Sequence, residues 1–320
     1  MKKILINDGI HSDGQLLLEE AGYEVNTNKI EQADLDAQLP AYDVILVRSA
    51  TKVREDLIAK CPNLKIIGRG GVGLDNIDVK YAKSKGIEVM NTPAASSVAV
   101  AELVFGHLFS LSRSLHLANR DMPGKGDTEF KKLKKAYAKG KQVRGKKIGI
   151  IGFGRIGQET AKIALGMGME VLPVDLMIDD ATIELDFPQA DNVKISIKLE
   201  TIDMEEMLAQ ADFITLHVPS IGRYILGPKE FAMMKDGVIL LNAARGGTVS
   251  EDALLAALES GKVAAAGLDV FETEPTPRKD LLNHPRVSLS PHIGAATLEA
   301  QRNIGLELAD KIIAFFGDDK

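Results

Sequence analysis

The fold is decided by residues 147–157, which read KIGIIGFGRIG. The apolar run at 147–151 predicts a buried β-strand, and the residues after the last glycine have the spacing of a helix. Between them lies a G-x-G-x-x-G pattern, in which the first glycine permits a tight turn and the second lets the backbone approach a pyrophosphate. The third glycine lets the helix pack on the strand. The cofactor contacts predicted here are Gly152, Gly154, Arg155, Ile156 and Gly157.

The next predicted strand, residues 170–175, ends on a carboxylate. Asp175 ends that strand, 18 residues after Gly157. A carboxylate in this place can accept hydrogen bonds from both hydroxyls of the adenine ribose, and it repels the 2′-phosphate of NADP. The sequence therefore predicts NAD as the cofactor.

Alternating strand and helix patterns extend on both sides of the glycine stretch. Such alternation is typical of parallel sheets covered by helices, so we predict an α/β fold with two doubly wound domains, one Rossmann and one flavodoxin-like. The predicted strands are residues 3–7, 44–47, 65–68, 86–90, 147–151, 170–175, 213–217, 238–242, 263–267 and 287–290. The predicted helices are residues 13–22, 53–60, 96–119, 158–166 and 297–316.

The composition is that of a globular enzyme, with 45% hydrophobic residues and a formal net charge of −6. This charge argues against general nucleic-acid binding. No apolar run approaches the roughly 18 residues of a membrane span, and the N-terminus lacks the apolar core of a signal peptide. The single cysteine, Cys61, excludes an intrachain disulfide and suits a reducing compartment. We therefore expect a cytoplasmic protein without nucleic-acid or membrane partners.

One segment departs from this acidic balance. Residues 131–147 contain nine basic residues and no acidic one, so the rest of the chain carries −15. A solvated basic loop is the simpler interpretation, and a patch that attracts anions is the alternative.

Three later segments each follow a predicted strand and carry reactive side chains. Arg245 lies in the first, several acids including Glu274 lie in the second, and His292 lies in the third. Segments that follow parallel strands converge at the carboxyl edge of the sheet, where ligands bind. An arginine, an acid and a histidine gathered there indicate proton transfer beside a bound carboxylate. Each residue taken alone could equally serve in capping or packing.

With these residues the sequence resembles the D-isomer-specific 2-hydroxyacid dehydrogenases over nearly the whole chain. The matching motifs are Gly152–Gly157, Ala244–Gly247, Asp269–Phe271 with Glu274-Pro275, and Pro291–Gly294. The resemblance implies that Arg245, Glu274 and His292 are the catalytic residues. It also implies a discontinuous substrate domain, residues 1–96 and 292–320, an NAD domain, residues 97–291, and an active site in the cleft between them.

Each implied role has a physical reason. Arg245 offers a planar pair of donors to the substrate carboxylate and 2-oxygen. His292 exchanges a proton near pH 7, and Glu274 orients its ring. By resemblance Asp269 binds the nicotinamide carboxamide, although it could simply end a strand. The remaining predicted cofactor contacts are His217, Ala243, Ala244, Asp269, Gly294 and Ala295. No metal is expected.

The first domain carries three cations after two neighbouring predicted strands. They are more than lactate or glycerate needs, and a phosphate prefers such a cluster; salt bridges within the domain are the alternative. The predicted substrate contacts are Arg48, Ser49, Lys52, Arg69, Val72 and Gly73. Their segments look like those of the family branch that oxidises D-3-phosphoglycerate for serine biosynthesis, in a short form without a C-terminal regulatory domain.

Other activities and assemblies stay open from the sequence. A hydroxypyruvate (glycerate) or D-lactate dehydrogenase of the same family is one alternative, and a non-catalytic NAD(H)-sensing corepressor is another. The predicted helix at 96–119 carries many apolar residues, which indicates a two-fold homodimer or a dimer-based tetramer, as the resemblance also implies. In a dimer, the basic segment could add a cation to the partner's phosphate site.

Overall fold

A computed structural model describes residues 1–187, 189–190 and 193–317. The chain forms two compact units. Unit 1 contains residues 1–99 and the chain from Ala295 onwards, and unit 2 is Val100–Gly294. The chain changes unit three residues later than the sequence predicts at both points, so His292 lies in unit 2. Residues 318–320, where the predicted substrate domain ends, lie outside the described residues.

Unit 1 contains a five-stranded parallel sheet in the order β2-β1-β3-β4-β5. This is the order of flavodoxin-like domains, as predicted. Its strands are β1 (Lys3–Ile6), β2 (Glu24–Asn26), β3 (Val44–Val47), β4 (Ile66–Arg69) and β5 (Glu88–Asn91). Its helices are α1 (Ser12–Glu20), α2 (Leu35–Gln38), α3 (Glu55–Ile58), α4 (Val79–Ser84) and, from the end of the chain, α13 (Leu298–Gly317), with short 3-10 turns at Gln32–Asp34 and Leu39–Ala41.

Both faces of this sheet are buried, because β3 places alternate side chains on opposite faces. Val44 and Leu46 pack in the cluster that includes Leu308 of α13. Ile45 and Val47 pack in a second cluster on the other face. The helix predicted at 297–316 thus completes the core of unit 1, as its position after the last strand indicated.

Unit 2 contains a six-stranded parallel sheet in the order β13-β12-β11-β10-β6-β7, which includes all six strands predicted for this half of the chain. Its strands are β6 (Lys147–Ile151), β7 (Glu170–Val174), β10 (Phe213–Leu216), β11 (Val238–Asn242), β12 (Val263–Leu268) and β13 (Val287–Leu289). The helices are α5 (Ser97–Ser112, which begins before the unit boundary), α6 (Leu115–Lys125), α7 (Phe130–Ala136), α8 (Arg155–Gly166), α9 (Met204–Gln210), α10 (Pro228–Met233), α11 (Glu251–Ser260) and α12 (Lys279–Leu282).

An antiparallel hairpin, β8 (Asp180–Phe187) with β9 (Val193–Glu200), was not predicted. Its alternate residues are apolar, and Ile183 joins the core of unit 2 where β8 contacts α8. The polar alternate residues pair across the strands, as in the ion pair between Lys198 and Asp180. The period-2 pattern was therefore present in the sequence and was overlooked among the charges.

The prediction of a single helix at residues 96–119 is wrong. Helix α5 ends at Ser112, and α6 begins at Leu115 at an angle of 60° to it. Between them Ser114 has a left-handed backbone, with φ of 53°, which interrupts the helical hydrogen bonds. Most apolar side chains of α5, including Phe105 and Leu108, are buried within the unit, so they offer less support for a dimer than the sequence indicated. No glycine or proline marks this break, which is why the apolar spacing concealed it.

The basic segment is also not a loop throughout. Residues Phe130–Ala136 form helix α7, because Leu133 is buried and anchors one face of the turn. The four lysines of this helix, Lys131, Lys132, Lys134 and Lys135, are exposed. The predicted helix at 53–60 is likewise shorter, since α3 covers only Glu55–Ile58.

Among the described residues, no single helix is long and apolar enough to cross a membrane, while the bent pair α5 and α6 together meets the requirements of length and composition. In the same part of the chain, no group of three or more His, Cys, Asp or Glu side chains could hold a metal ion.

Candidate active site

The glycine turn between β6 and α8 is shaped for close contact with a ligand. Gly152 has a φ of 92°, and a Cβ there would lie 2.6 Å from the carbonyl oxygen of His217. At Gly157 a Cβ would collide with the carbonyl oxygen of Gly152. Gly154 faces open space at the start of α8, where no side chain caps the helix. The free amides and the helix dipole at this point suit a pyrophosphate, so the residues present fit a dinucleotide.

The next two residues begin α8, with Arg155 exposed and Ile156 half-buried. Asp175 lies beside the turn, directly after β7. Its Oδ2 accepts a hydrogen bond from the amide of Phe153 at 2.7 Å, and its Oδ1 accepts one from the amide of Met177 at 2.8 Å. The carboxylate therefore also holds the turn in place, and carboxylate oxygens have further lone pairs for ribose hydroxyls.

His217 reaches the glycine turn through its backbone rather than through its ring. The ring Nε2 lies 3.1 Å from the hydroxyl of Thr160 and 3.2 Å from that of Thr215. Although the residue as a whole is half-buried, Nδ1 is shielded from solvent and has no hydrogen-bond partner among the described residues. Burial lowers the pKa of His217 to about 3, so the ring is neutral. The predicted contact between this side chain and the cofactor has no support in its orientation.

Arg245 follows β11 in a turn that is fixed by two polar side chains. Asn242 accepts a hydrogen bond from the amide of Ala244 at 3.1 Å, and the hydroxyl of Thr248 donates to the carbonyl of Arg245 at 2.7 Å. The guanidinium donates to the carbonyl of Ala244 at 2.6 Å. Half-buried Ala243 and buried Ala244 leave little side-chain bulk beside it. The sequence analysis missed Asn242, although a polar residue at the end of a buried strand was the signal for it.

The Arg245 turn packs against the segment that carries Glu274. A Cβ at Gly246 would collide with the carbonyl oxygen of Phe271, so the two backbones touch. The amide of Phe271 donates to Oε1 of Glu274 at 3.0 Å. The three catalytic candidates thus follow β11, β12 and β13, which are adjacent strands of one sheet. Tertiary structure brings them to the same edge within unit 2.

Glu274 and His292 form a direct pair. Oε2 of Glu274 lies 2.8 Å from Nδ1 of His292, and the two side chains are 36% and 45% exposed. His292 has a left-handed backbone, with φ of 54°. Since Glu274 engages Nδ1, the ring Nε2 is left for a ligand, and it has no hydrogen-bond partner within the described chain. Such a pair fixes the orientation of the imidazole ring.

Asp269 holds the loop that carries His292. Its side chain is 1% exposed. Its Oδ1 accepts from the hydroxyl of Ser290 at 2.6 Å and from the amide of Ile293 at 2.8 Å, and its Oδ2 accepts from the amide of Gly294 at 2.9 Å. The predicted contact with the carboxamide is not needed to explain this burial, because the three donors already satisfy the carboxylate. Gly294 ends unit 2, and Ala295 is half-buried at the start of the next segment.

His107 of α5 extends this network and was missed by the sequence analysis. Its two ring nitrogens each lie 2.8 Å from a serine hydroxyl, Nδ1 from Ser288 and Nε2 from Ser290. Burial lowers the pKa of His107, which keeps the ring neutral and able to donate one hydrogen bond and accept another. The only signal in the sequence was a histidine among the apolar residues of a predicted helix.

The predicted substrate contacts lie in unit 1, after β3 and β4. Arg48 and Ser49 follow β3, Arg69 ends β4, and half-buried Val72 and Gly73 come after it. The strands are neighbours, with Val47 opposite Arg69. A Cβ added at Gly70 would lie 3.7 Å from Cγ of Arg48, and a Cβ added at Gly71 would collide with Nη1 of Arg69. Two guanidinium side chains therefore flank one glycine turn.

Lys52 is exposed on the same loop as Arg48. Neither side chain forms an ion pair with an acid in the described part of the chain. For these two cations, the alternative of a salt bridge within the domain therefore has no support.

Comparison with known proteins identifies the family of this chain. The family model described as D-isomer specific 2-hydroxyacid dehydrogenase, NAD binding domain, matches residues 105–294. A hydroxypyruvate reductase of Thermotoga maritima is 46% identical over 98% of each chain. A D-3-phosphoglycerate dehydrogenase of Methanocaldococcus jannaschii is 41% identical over 98% of this chain, which spans only 57% of that enzyme. The crystal structure of a glyoxylate reductase from Paecilomyes thermophila superposes with a TM-score of 0.82 at 29% identity, covering 100% of this chain and 96% of the other.

Proposed function

Since the chain belongs to the D-isomer-specific 2-hydroxyacid dehydrogenase family, we propose that it interconverts D-3-phosphoglycerate and 3-phosphohydroxypyruvate. As a family member it is an NAD-dependent oxidoreductase. The choice of substrate is supported by one observation: Arg48 and Lys52 lack acidic partners among the described residues, and Arg69 flanks the same glycine turn as Arg48. A phosphate dianion satisfies several cations, which glycerate or lactate would not.

In this proposal, residues of unit 2 carry out the chemistry at C2. Nε2 of His292 takes the proton of the C2 hydroxyl as the hydride leaves C2, and Glu274 stabilises the imidazolium that forms. Arg245 binds the carboxylate and stabilises charge on the 2-oxygen. NAD, when bound, accepts the hydride. In the reverse direction, the protonated His292 returns the proton to the oxygen of the keto acid.

The amides of the glycine turn around Val72 and Gly73 would receive the substrate carboxylate, and Arg48, Lys52 and Arg69 would bind the phosphate. Ser49 is exposed beside Arg48 and can donate a further hydrogen bond. These assignments predict that the phosphate contributes to binding rather than to the reaction step.

The test is a panel of keto acids with NADH, with kcat/KM measured for 3-phosphohydroxypyruvate, hydroxypyruvate, glyoxylate and pyruvate. We expect the phosphorylated acid to lead by at least about 10²-fold, since two charge-assisted contacts are each worth about 1.5–3 kcal/mol. Arg48→Gln should remove most of this advantage. Equal values for 3-phosphohydroxypyruvate and hydroxypyruvate would contradict the proposal.

Hydroxypyruvate reduction is the second candidate, and the match to the Thermotoga maritima enzyme favours it, because that similarity covers 98% of both chains. The same panel separates the two activities. A non-catalytic NAD(H)-sensing protein, the third possibility, would show no turnover with any member of the panel.

We further propose a cytoplasmic homodimer, or a tetramer built from dimers, that acts in serine biosynthesis. A run of exposed apolar side chains on α6 and α7 supports an assembly surface there: Leu115, Met122 and Phe130. Light scattering coupled to size-exclusion chromatography tests it, and a monomer at micromolar concentration would contradict it.

A further inference from the structure

A carboxylate holds the loop that follows β3. Oδ2 of Asp8 accepts hydrogen bonds from the amides of Arg48, at 2.7 Å, and Thr51, at 3.0 Å. Its Oδ1 accepts a third from the hydroxyl of Thr51 at 2.6 Å. Asp8 follows β1, the strand next to β3, so the sheet itself places the carboxylate under the loop. Three donors on one carboxylate fix the loop more firmly than a single contact would.

Asn76 holds the same loop from the other side. Its Nδ2 donates to the carbonyl of Arg48 at 2.8 Å and to the carbonyl of Thr51 at 2.6 Å. Asn76 belongs to the segment after β4, and its own carbonyl accepts from the amide of Val53 at 2.9 Å. The two loops that carry the proposed substrate cations are therefore joined.

The backbone of Arg48 is consequently fixed at both of its polar groups, since the amide binds Asp8 and the carbonyl binds Asn76. Thr51 is fixed in the same way and is 3% exposed. Neither Asp8 nor Asn76 is needed to satisfy a helix end or to extend the sheet. What the two side chains jointly determine is the direction in which the Arg48 side chain leaves the loop.

We propose that Asp8 and Asn76 are positioning residues for the phosphate group of the substrate, and this rests on the proposed function. They order the loop before the substrate arrives, so that binding does not have to supply the entropy of ordering it. Removing either set of hydrogen bonds keeps the Arg48 side chain but allows it to point in several directions. The loss should therefore appear in KM for a phosphorylated substrate and hardly at all in the reaction step.

The experiment compares Asp8→Ala and Asn76→Ala, which remove the two sets of hydrogen bonds, with the wild-type enzyme in NADH-dependent reduction. We expect KM for 3-phosphohydroxypyruvate to rise about 5–20-fold, the effect of about 1–1.8 kcal/mol of lost preorganisation. KM for hydroxypyruvate, kcat and the Kd for NADH should stay within about twofold. A purely structural role would lower the melting temperature without this dependence on the phosphate.

A matched control is available at the other end of the same strand. Asp43 directly precedes β3, and its Oδ2 accepts from the amide of Lys3 at 2.8 Å. Asp43→Ala removes a carboxylate at the end of a strand without touching the loop of Arg48, so it should change neither KM. Thr51→Val removes the hydroxyl that donates to Asp8 and accepts from Asn7, and Thr51→Ser should restore the wild-type KM.

The outcome also separates this proposal from the proposed function, with Arg48→Gln as the reference. If Arg48→Gln raises KM for the phosphorylated acid but Asn76→Ala, Asp8→Ala and Thr51→Val do not, positioning is overturned and the substrate assignment stands. If Arg48→Gln itself changes nothing, the phosphate role of this loop is wrong and positioning falls with it.

Discussion

His292 and Glu274 form a pair in which one ring nitrogen is engaged and the other is available, at 2.8 Å between Nδ1 and Oε2. Replacing His292 by Asn retains a polar side chain of similar reach but removes the group that exchanges a proton near neutral pH. We expect His292→Asn to lower kcat by about 10²–10⁴-fold, as is usual for a positioned acid or base. Stopped-flow measurement of NADH oxidation gives this value.

NADH binding should be largely unaffected in the same variant, because the predicted contacts of the pyrophosphate and the adenine ribose lie after β6 and β7, and His292 is not itself a predicted contact of the dinucleotide. Titration of NADH fluorescence is the control. Turnover close to that of the wild type would show that His292 is not the acid and base.

Asp175 predicts the choice between NAD and NADP. Its carboxylate lies beside the glycine turn, where it would face a 2′-phosphate at short range. We expect kcat/KM with NADH to exceed that with NADPH by at least about tenfold, and Asp175→Ala to narrow the ratio. Because Asp175 also accepts the amide of Phe153, Asp175→Asn is the matched variant that keeps an acceptor without the charge. An unchanged ratio in both variants would exclude this role.

Among the elements, helix α7 is the one whose charge calls for a test. Its four lysines are exposed. Within the described part of the chain only Lys132 of these four forms an ion pair, with Glu129 at 2.8 Å. If the helix attracts a phosphorylated substrate in a dimer, changing Lys131, Lys132, Lys134 and Lys135 to Gln should raise its KM about 2–5-fold at low salt. The effect should fade near 0.15 M salt, where screening acts over about 8 Å.

The hairpin supplies the control for this experiment. Lys194 and Lys198 are exposed on β9 and pair with acids of β8, so changing them to Gln alters charge away from the basic helix. If the α7 variant and the hairpin variant raised KM equally, the effect would come from the net charge of the protein rather than from helix α7. Unchanged kinetics in the α7 variant at low ionic strength would leave the helix as a solvated surface.

For the whole molecule, buried His107 and the shielded ring of His217 predict how stability depends on pH. Burial lowers the pKa of His217 to about 3 and also lowers that of His107. Below about pH 6.5 the unfolded chain takes up protons at these residues more readily than the folded protein does. The free energy of unfolding must therefore fall as the pH falls from about 6.5 towards 3.

The expected size for His217 alone is up to about 2 kcal/mol between pH 7 and pH 5. Urea unfolding at the two pH values measures it. His217→Gln should reduce the difference by about this amount. An identical pH dependence in His217→Gln and the wild type would show that the ring is accessible to protons in the folded state.

The sequence by itself determined the fold class and the order in which the candidate catalytic residues follow the strands. Most strands of the two parallel sheets are short apolar runs, because a parallel sheet covered on both faces buries nearly every side chain of a strand. The edge strand β2, Glu24–Asn26, has no buried residue, and the sequence did not reveal it. The glycine pattern at 152–157 was readable because a tight turn against a ligand excludes side chains at set positions. The three catalytic candidates could be identified because each follows an apolar strand, and the position of a residue relative to a strand can be read from the sequence. They are Arg245, Glu274 and His292.

Only the tertiary structure decided which polar groups meet. Asp8 and Arg48, Asp269 and Ile293, and His107 and Ser290 are far apart in the chain, and their hydrogen bonds exist because neighbouring strands and α5 bring them together. The break at Ser114 and the helix at Phe130–Ala136 were likewise invisible to periodicity, since one backbone angle and one buried leucine decide them. A pattern along the chain records which side chains must be buried, but it does not record which partners they find there.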